Sequence, residues 1–96
     1  MFSRTYVLAA AAVSVASLIE NDIPDYMVSS VGVEGFRSDI IIQAPVANLN
    51  DIFLGEDADQ SLFILPGGSS GLFKAELNNL FVRGTVGERV IIFLTF

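Results

Sequence analysis

The chain has 96 residues, 52% of them hydrophobic and only 17% charged, with a formal net charge of −6. That length allows one domain with a limited core, so a composition this apolar leaves greasy side chains over once the core is filled. It contains no Cys and no His, which excludes disulfides, thiolate nucleophiles, imidazole or thiolate zinc sites and the usual general base.

The first 19 residues, MFSRTYVLAAAAVSVASLI, admit three readings. Arg4, the apolar stretch Tyr6 to Val13 and the small residues Val15-Ala16-Ser17 fit an export signal. A membrane span is excluded by length: Tyr6 to Ile19 is 14 residues and includes two serines, where about 20 apolar residues are needed. The reading adopted is a folded part of the domain. Thr5 to Leu8 forms a strand, Ala9 to Ala12 packs closely against a neighbour, and Ser17-Leu18-Ile19 makes a turn or helical hinge before the acidic loop Glu20 to Asp25.

From Tyr26 onward short apolar runs alternate with turn residues, as in an all-β sandwich. The expected strands are Tyr26 to Val33, Phe36 to Ala44 (ended by Pro45), Asp51 to Gly55, Ser61 to Leu65, Leu72 to Leu77, Leu80 to Arg83 and Arg89 to Phe96. With the amino-terminal strand this gives a single β-sandwich of seven to eight strands over residues 1–96, divided into an amino-terminal part (1–25) and a strand-rich body (26–96). Pro66 to Gly71 is the strongest breaker and is expected to join two strands as a flexible hairpin. The two glycines of Arg83 to Glu88 suit positive φ.

The last strand stands out. Val90, Ile92, Leu94 and Phe96 occupy one face, Ile91 and Phe93 the other, so both faces ask to be covered. Phe36, Ile91, Phe93 and Phe96 are therefore the candidate assembly contacts, and Phe93→Asp or Phe96→Asp is expected to abolish assembly. Phe53, Phe63, Phe73 and Phe81 lie inside expected strands and are assigned to the core.

No constellation declares a reaction, and no enzyme, cofactor or metal is expected. Glu56, Asp57 and Asp59, with Asp51 and Asn50 nearby, lack the spacing of an EF-hand and read as a solvated turn. Gly67 to Lys74 lacks phosphate-loop spacing, since Lys74 comes three residues after Gly71 and Ala75 follows it. Eleven acids make chance carboxylate pairs inevitable, without the cleft that glycoside hydrolysis requires. Nine acids against Arg37 alone in residues 20–59 exclude phosphate-backbone binding, so no nucleic-acid partner is expected, and no membrane.

Arg4-Thr5-Tyr6-x-Leu8, Ser14-x-Ala16-Ser17-Leu18-Ile19, the apolar strand ending Gln43-Ala44 and Asn48-x-x-x-Ile52-Phe53-x-Gly55 follow one another along the chain, and Pro66-Gly67-Gly68 and the closing run Asn79 to Val90 come after them. This order of elements resembles small structural proteins of tailed bacteriophage particles. The resemblance implies a jelly-roll-like sandwich that decorates, cements or lines a virion shell, as a capsid decoration or minor capsid protein. Its partners would be the major capsid or another shell protein and further copies of itself, commonly as trimers. Two alternatives remain open: an exported surface or pilus-like binding module using residues 1–17 as signal, and a carbohydrate-binding sandwich, which would need exposed aromatics on one face.

Overall fold

The computed structural model describes residues 2–9, 11–22, 37–56 and 59–95. Within them the chain forms β1 (Phe2–Val7), β2 (Val13–Ser14), α1 (Val15–Ile19), β3 (Arg37–Gln43), β4 (Ile52–Glu56), β5 (Asp59–Ile64), β6 (Phe73–Glu76), β7 (Phe81–Arg83) and β8 (Arg89–Thr95). The strands make two antiparallel four-stranded sheets, ordered β1-β8-β3-β6 and β2-β7-β4-β5.

The pairings β4·β5, β3·β6, β2·β7 and β1·β8 describe one long antiparallel ribbon folded at its middle. Rolling that ribbon adds β3·β8 in the first sheet and β4·β7 in the second. This is jelly-roll wiring, and the expected all-β sandwich is what the chain forms. Among the described strands only β4 and β5 join within one sheet; every other connection crosses between sheets.

Two turn expectations need correction for that reason. Pro66 to Gly71 is not a hairpin but an arch from β5 to β6, tied to the end of β3. Ser70 N donates to the Ile42 carbonyl at 2.8 Å, and its Oγ accepts from Ile42 N at 3.0 Å. In the 83–88 turn only Gly87 has positive φ (89°). Gly84 instead lies against Leu8: a Cβ there would come 2.7 Å from Leu8 Cδ1, so the end of that buried side chain would have to shift.

The core is aliphatic. Ile40, Ile42, Val90, Ile92 and Leu94 from one sheet meet Ile52, Leu54, Ile64 and Val82 from the other, all buried. Strand alternation then sends Phe53, Phe63, Phe81 and Phe93 outward, because their even-numbered neighbours hold the inward positions. The assignment of Phe53, Phe63 and Phe81 to the core is thereby overturned, while Phe93 lies on the outward face of β8. Phe73 packs half-buried at the margin of the core, and Phe2 is buried in it.

At the amino terminus β1 starts at Phe2, earlier than expected, and the hinge is the one-turn α1. Ser14 caps it, its hydroxyl accepting from Ser17 N at 3.1 Å. The first helical amides are satisfied across the fold: Val15 N donates to Leu80 O at 2.8 Å and Ala16 N to Leu77 O at 3.0 Å. The expected strand Tyr26 to Val33 lies outside the described residues.

Candidate assembly surface

Of the four candidate contacts, Phe36 and Phe96 lie outside the residues whose side chains are described. Ile91 and Phe93 come together as expected, on the outward face of β8. They are half-buried, with Gln43 and Ile41 opposite them on β3 and Thr5 and Ser3 opposite them on β1. The outer face therefore carries an apolar centre of Ile41, Ile91 and Phe93 between polar rows. Covering of β8 on both sides is thus half met within the chain: the second sheet seals Val90, Ile92 and Leu94, all at 0% exposure.

More strongly exposed apolar side chains lie elsewhere. Val7, Val46, Leu49, Leu65 and Val86 are all more than half exposed, and all sit at the end of the sandwich where β1 and β7 finish and β4 and β8 begin. Leu49 is the extreme at 87%. Its exposure is enforced by the backbone. Asn48, buried at 6%, donates from Nδ2 to the Arg89 carbonyl at 2.7 Å and accepts Arg89 N on Oδ1 at 3.1 Å. The amide side chain thus pairs with Arg89 as a neighbouring strand residue would. One residue on, the Glu88 carboxylate accepts Leu49 N and, at 3.2 Å, Asn50 N. A loop fixed at three consecutive residues holds Leu49 out into solvent.

Two open depressions adjoin this end. One, of about 390 Å³, is lined by Pro45, Ala47, Asn48, Glu88 and Ile91 among others. The other, of about 410 Å³, is lined by Leu49, Asn50, Asp51, Phe53, Arg83, Gly84 and Thr85. Above the second, the Arg83 guanidinium lies over the Phe53 ring, 4.3 Å from its centroid. Phe63, 61% exposed, pairs with Phe53 on β5, and half-buried Phe81 lies on the same outward face.

Titratable chemistry is sparse. The Tyr6 hydroxyl is buried without a hydrogen-bond partner at bonding geometry, and burial together with the nearby Asp22 carboxylate pushes its pKa well above the ordinary phenol value. Among the described residues no three acidic side chains gather where a metal ion could be held, and no helix is long and apolar enough to cross a membrane. Comparisons with protein-family models, with curated proteins and with solved structures find no match.

The sequence indicated Ile91 and Phe93 because consecutive apolar residues in a strand are conspicuous. It did not indicate Leu49 or Val86, which are single apolar residues in polar loops. The available signal was Asn48 and Glu88 flanking them with side chains suited to bonding backbone.

Proposed function

We propose that this chain is a structural assembly subunit whose apolar surface is closed by other protein, in the shell-associated capsid decoration or cement role implied by the resemblance. The observation that carries this reading is Leu49, an apolar side chain held in water by a loop that Asn48 and Glu88 bond in place, at the end of the sandwich that also exposes Val46 and Val86. Soluble monomers seldom maintain such patches, and a fixed backbone lowers the ordering cost of binding. Each buried square ångström of apolar area contributes about 25 cal/mol, and repetition over a shell multiplies weak contacts.

Jelly-roll sandwiches serve in virus shells and in lectins, so the wiring is compatible with the reading without determining it. The carbohydrate alternative needs exposed aromatics on one face, and Phe63, 61% exposed beside half-buried Phe53 and Phe81, meets part of that need although Arg83 covers one face of Phe53, so glycan binding is the second reading to test. Cleavage after residue 17 would remove β1 and β2 and take Phe2, Val15 and Ala16 from the core, which speaks for retention of these residues rather than for a signal.

The test is quantification of this chain against the major shell protein in purified particles, with intact mass of the native chain. A fixed stoichiometric ratio and residues 1–17 retained support the reading. A chain absent from particles, or shortened by those residues and found at a cell surface, overturns it.

A further inference from the structure

Phe63, Phe53 and Arg83 stand in register on three neighbouring strands, so they form one row across the outer face of the β2-β7-β4-β5 sheet. Phe63, on the edge strand, is 61% exposed, and Phe53 is half-buried under the Arg83 guanidinium. Two strand spacings, about 10 Å, separate the Phe63 and Arg83 backbones, and the guanidinium returns over Phe53 between them.

A bulge fixes that arginine in place. Between the pairs Leu54 with Leu62 and Glu56 with Asp59, Gly55 alone opposes both Gln60 and Ser61. The bulged backbone closes over Gly55, where a Cβ would overlap the Asp59 carbonyl. Gln60 donates from Nε2 to the Glu56 carbonyl at 2.6 Å and accepts Arg83 Nε on Oε1 at 3.1 Å. The guanidinium is thus held by a ring below it and an amide at its side. Its two terminal amino groups have no partner among the described residues, where the ion pair present joins Lys74 to Asp39 instead.

Arg83 borders the depression of about 410 Å³ that Asn50, Asp51 and Thr85 also line. Its polar wall mixes donors, the guanidinium and the Asn50 amide, with acceptors, the Asp51 carboxylate and the Thr85 hydroxyl. An anion here would meet Asp51 as well as Arg83, on a chain of net charge −6. A ligand rich in hydroxyl groups satisfies both kinds of partner, because each hydroxyl donates and accepts. The exposed Phe63 ring adds an apolar plane for the C–H face of a sugar. Convergent polar groups beside an aromatic surface are the makings of a small-ligand site.

We propose that this row and depression bind an uncharged saccharide, its C–H face on Phe63 and its hydroxyls on Arg83 and Asp51. The proposal rests on glycan binding, the second reading above, and gives it a place and a ligand class. Arg83 contributes through preorganisation: its fork is already stacked and tied, so binding orders few further bonds.

Saturation-transfer NMR and calorimetric titration of the full-length chain with maltose, cellobiose and lactose, and with glucuronic acid as the charged probe, test this. An array of neutral and acidic glycans widens the panel. The expected result is binding of a neutral saccharide, weakened about tenfold or more by Phe63→Ala and by Arg83→Ala. Phe63→Tyr keeps the ring and is expected to retain binding, as is Ser3→Ala on the outer face of the other sheet. Phe63 is mostly in solvent, so its variants probe the site without disturbing the core, and unchanged urea midpoints check this. Binding that persists undiminished in Phe63→Ala and Arg83→Ala overturns the site and leaves glycan binding standing. Binding of glucuronic acid or acidic array glycans alone overturns the ligand class. Silence toward every probe and across the array overturns both the site and the glycan reading.

Discussion

Arg83 stacks on Phe53 at 4.3 Å while its Nε donates to Gln60 Oε1 at 3.1 Å, so one side chain ties β7, β4 and β5 together on the outer face of the sheet. An arginine is suited to this because its planar guanidinium stacks and donates at once. Arg83→Ala is expected to lower stability by about 1 kcal/mol, and Arg83→Lys to recover less than half of that loss. Urea unfolding of both variants, with Phe53→Leu in a double-mutant cycle, measures the coupling.

Asn48 stands in for a strand residue at the start of β8. Replacing it by Ala leaves Arg89 N and O without their partner, and is expected to cost about 2–4 kcal/mol. Asn48→Asp retains the acceptor for Arg89 N but sets a carboxylate against the Arg89 carbonyl, so it does not rescue. Thermal and urea midpoints decide this, and hydrogen exchange at Arg89 reports the local opening.

Gly55 lies in β4 where a Cβ would overlap the backbone of Asp59 and Gln60, so the hairpin cannot accept a side chain without moving. Gly55→Ala is expected to destabilise by about 2–3 kcal/mol through overpacking. Gly71→Ala meets open space but holds φ at 77°, so its smaller loss, about 1 kcal/mol, comes from backbone strain alone. Comparing the two unfolding midpoints separates crowding from strain.

Tyr6 makes stability depend on alkaline pH. Its folded pKa is raised above the unfolded value of about 10, so the unfolded chain releases the proton first. Its contribution is constant below about pH 10 and is lost as pH rises beyond that. Tyr6→Phe is expected to remove this alkaline slope and to hold or slightly raise stability at pH 7, because a buried hydroxyl without a partner disappears. Unfolding free energies at pH 7 and at pH 11 check both halves.

The strand count and most boundaries from Arg37 to Thr95 were legible because turns here are written in Pro, Gly and Asn, and because runs such as Ile40-Ile41-Ile42 have few alternatives. Which face of each strand points inward was not. In Ile52-Phe53-Leu54 the aromatic draws attention, but two aliphatic residues on one parity outweigh one phenylalanine on the other, and a shift of one residue exchanges the faces. The arch at Pro66 to Gly71 was misread for a related reason: a breaker marks a reversal without saying whether the next strand joins the same sheet. Ile91 and Phe93 followed from β8. Leu49 did not, because its position depends on long-range bonds from Asn48 and Glu88 that sequence spacing does not encode.

Sedimentation velocity of the wild-type chain and of Leu49→Asp across a dilution series, at matched urea midpoints, tests most directly whether the exposed end is closed by protein. The expected result is an associated wild-type species that persists to low concentration and dissociates to smaller species in the variant. A wild-type chain that sediments as one stable monomer at every concentration, indistinguishable from Leu49→Asp, would contradict it.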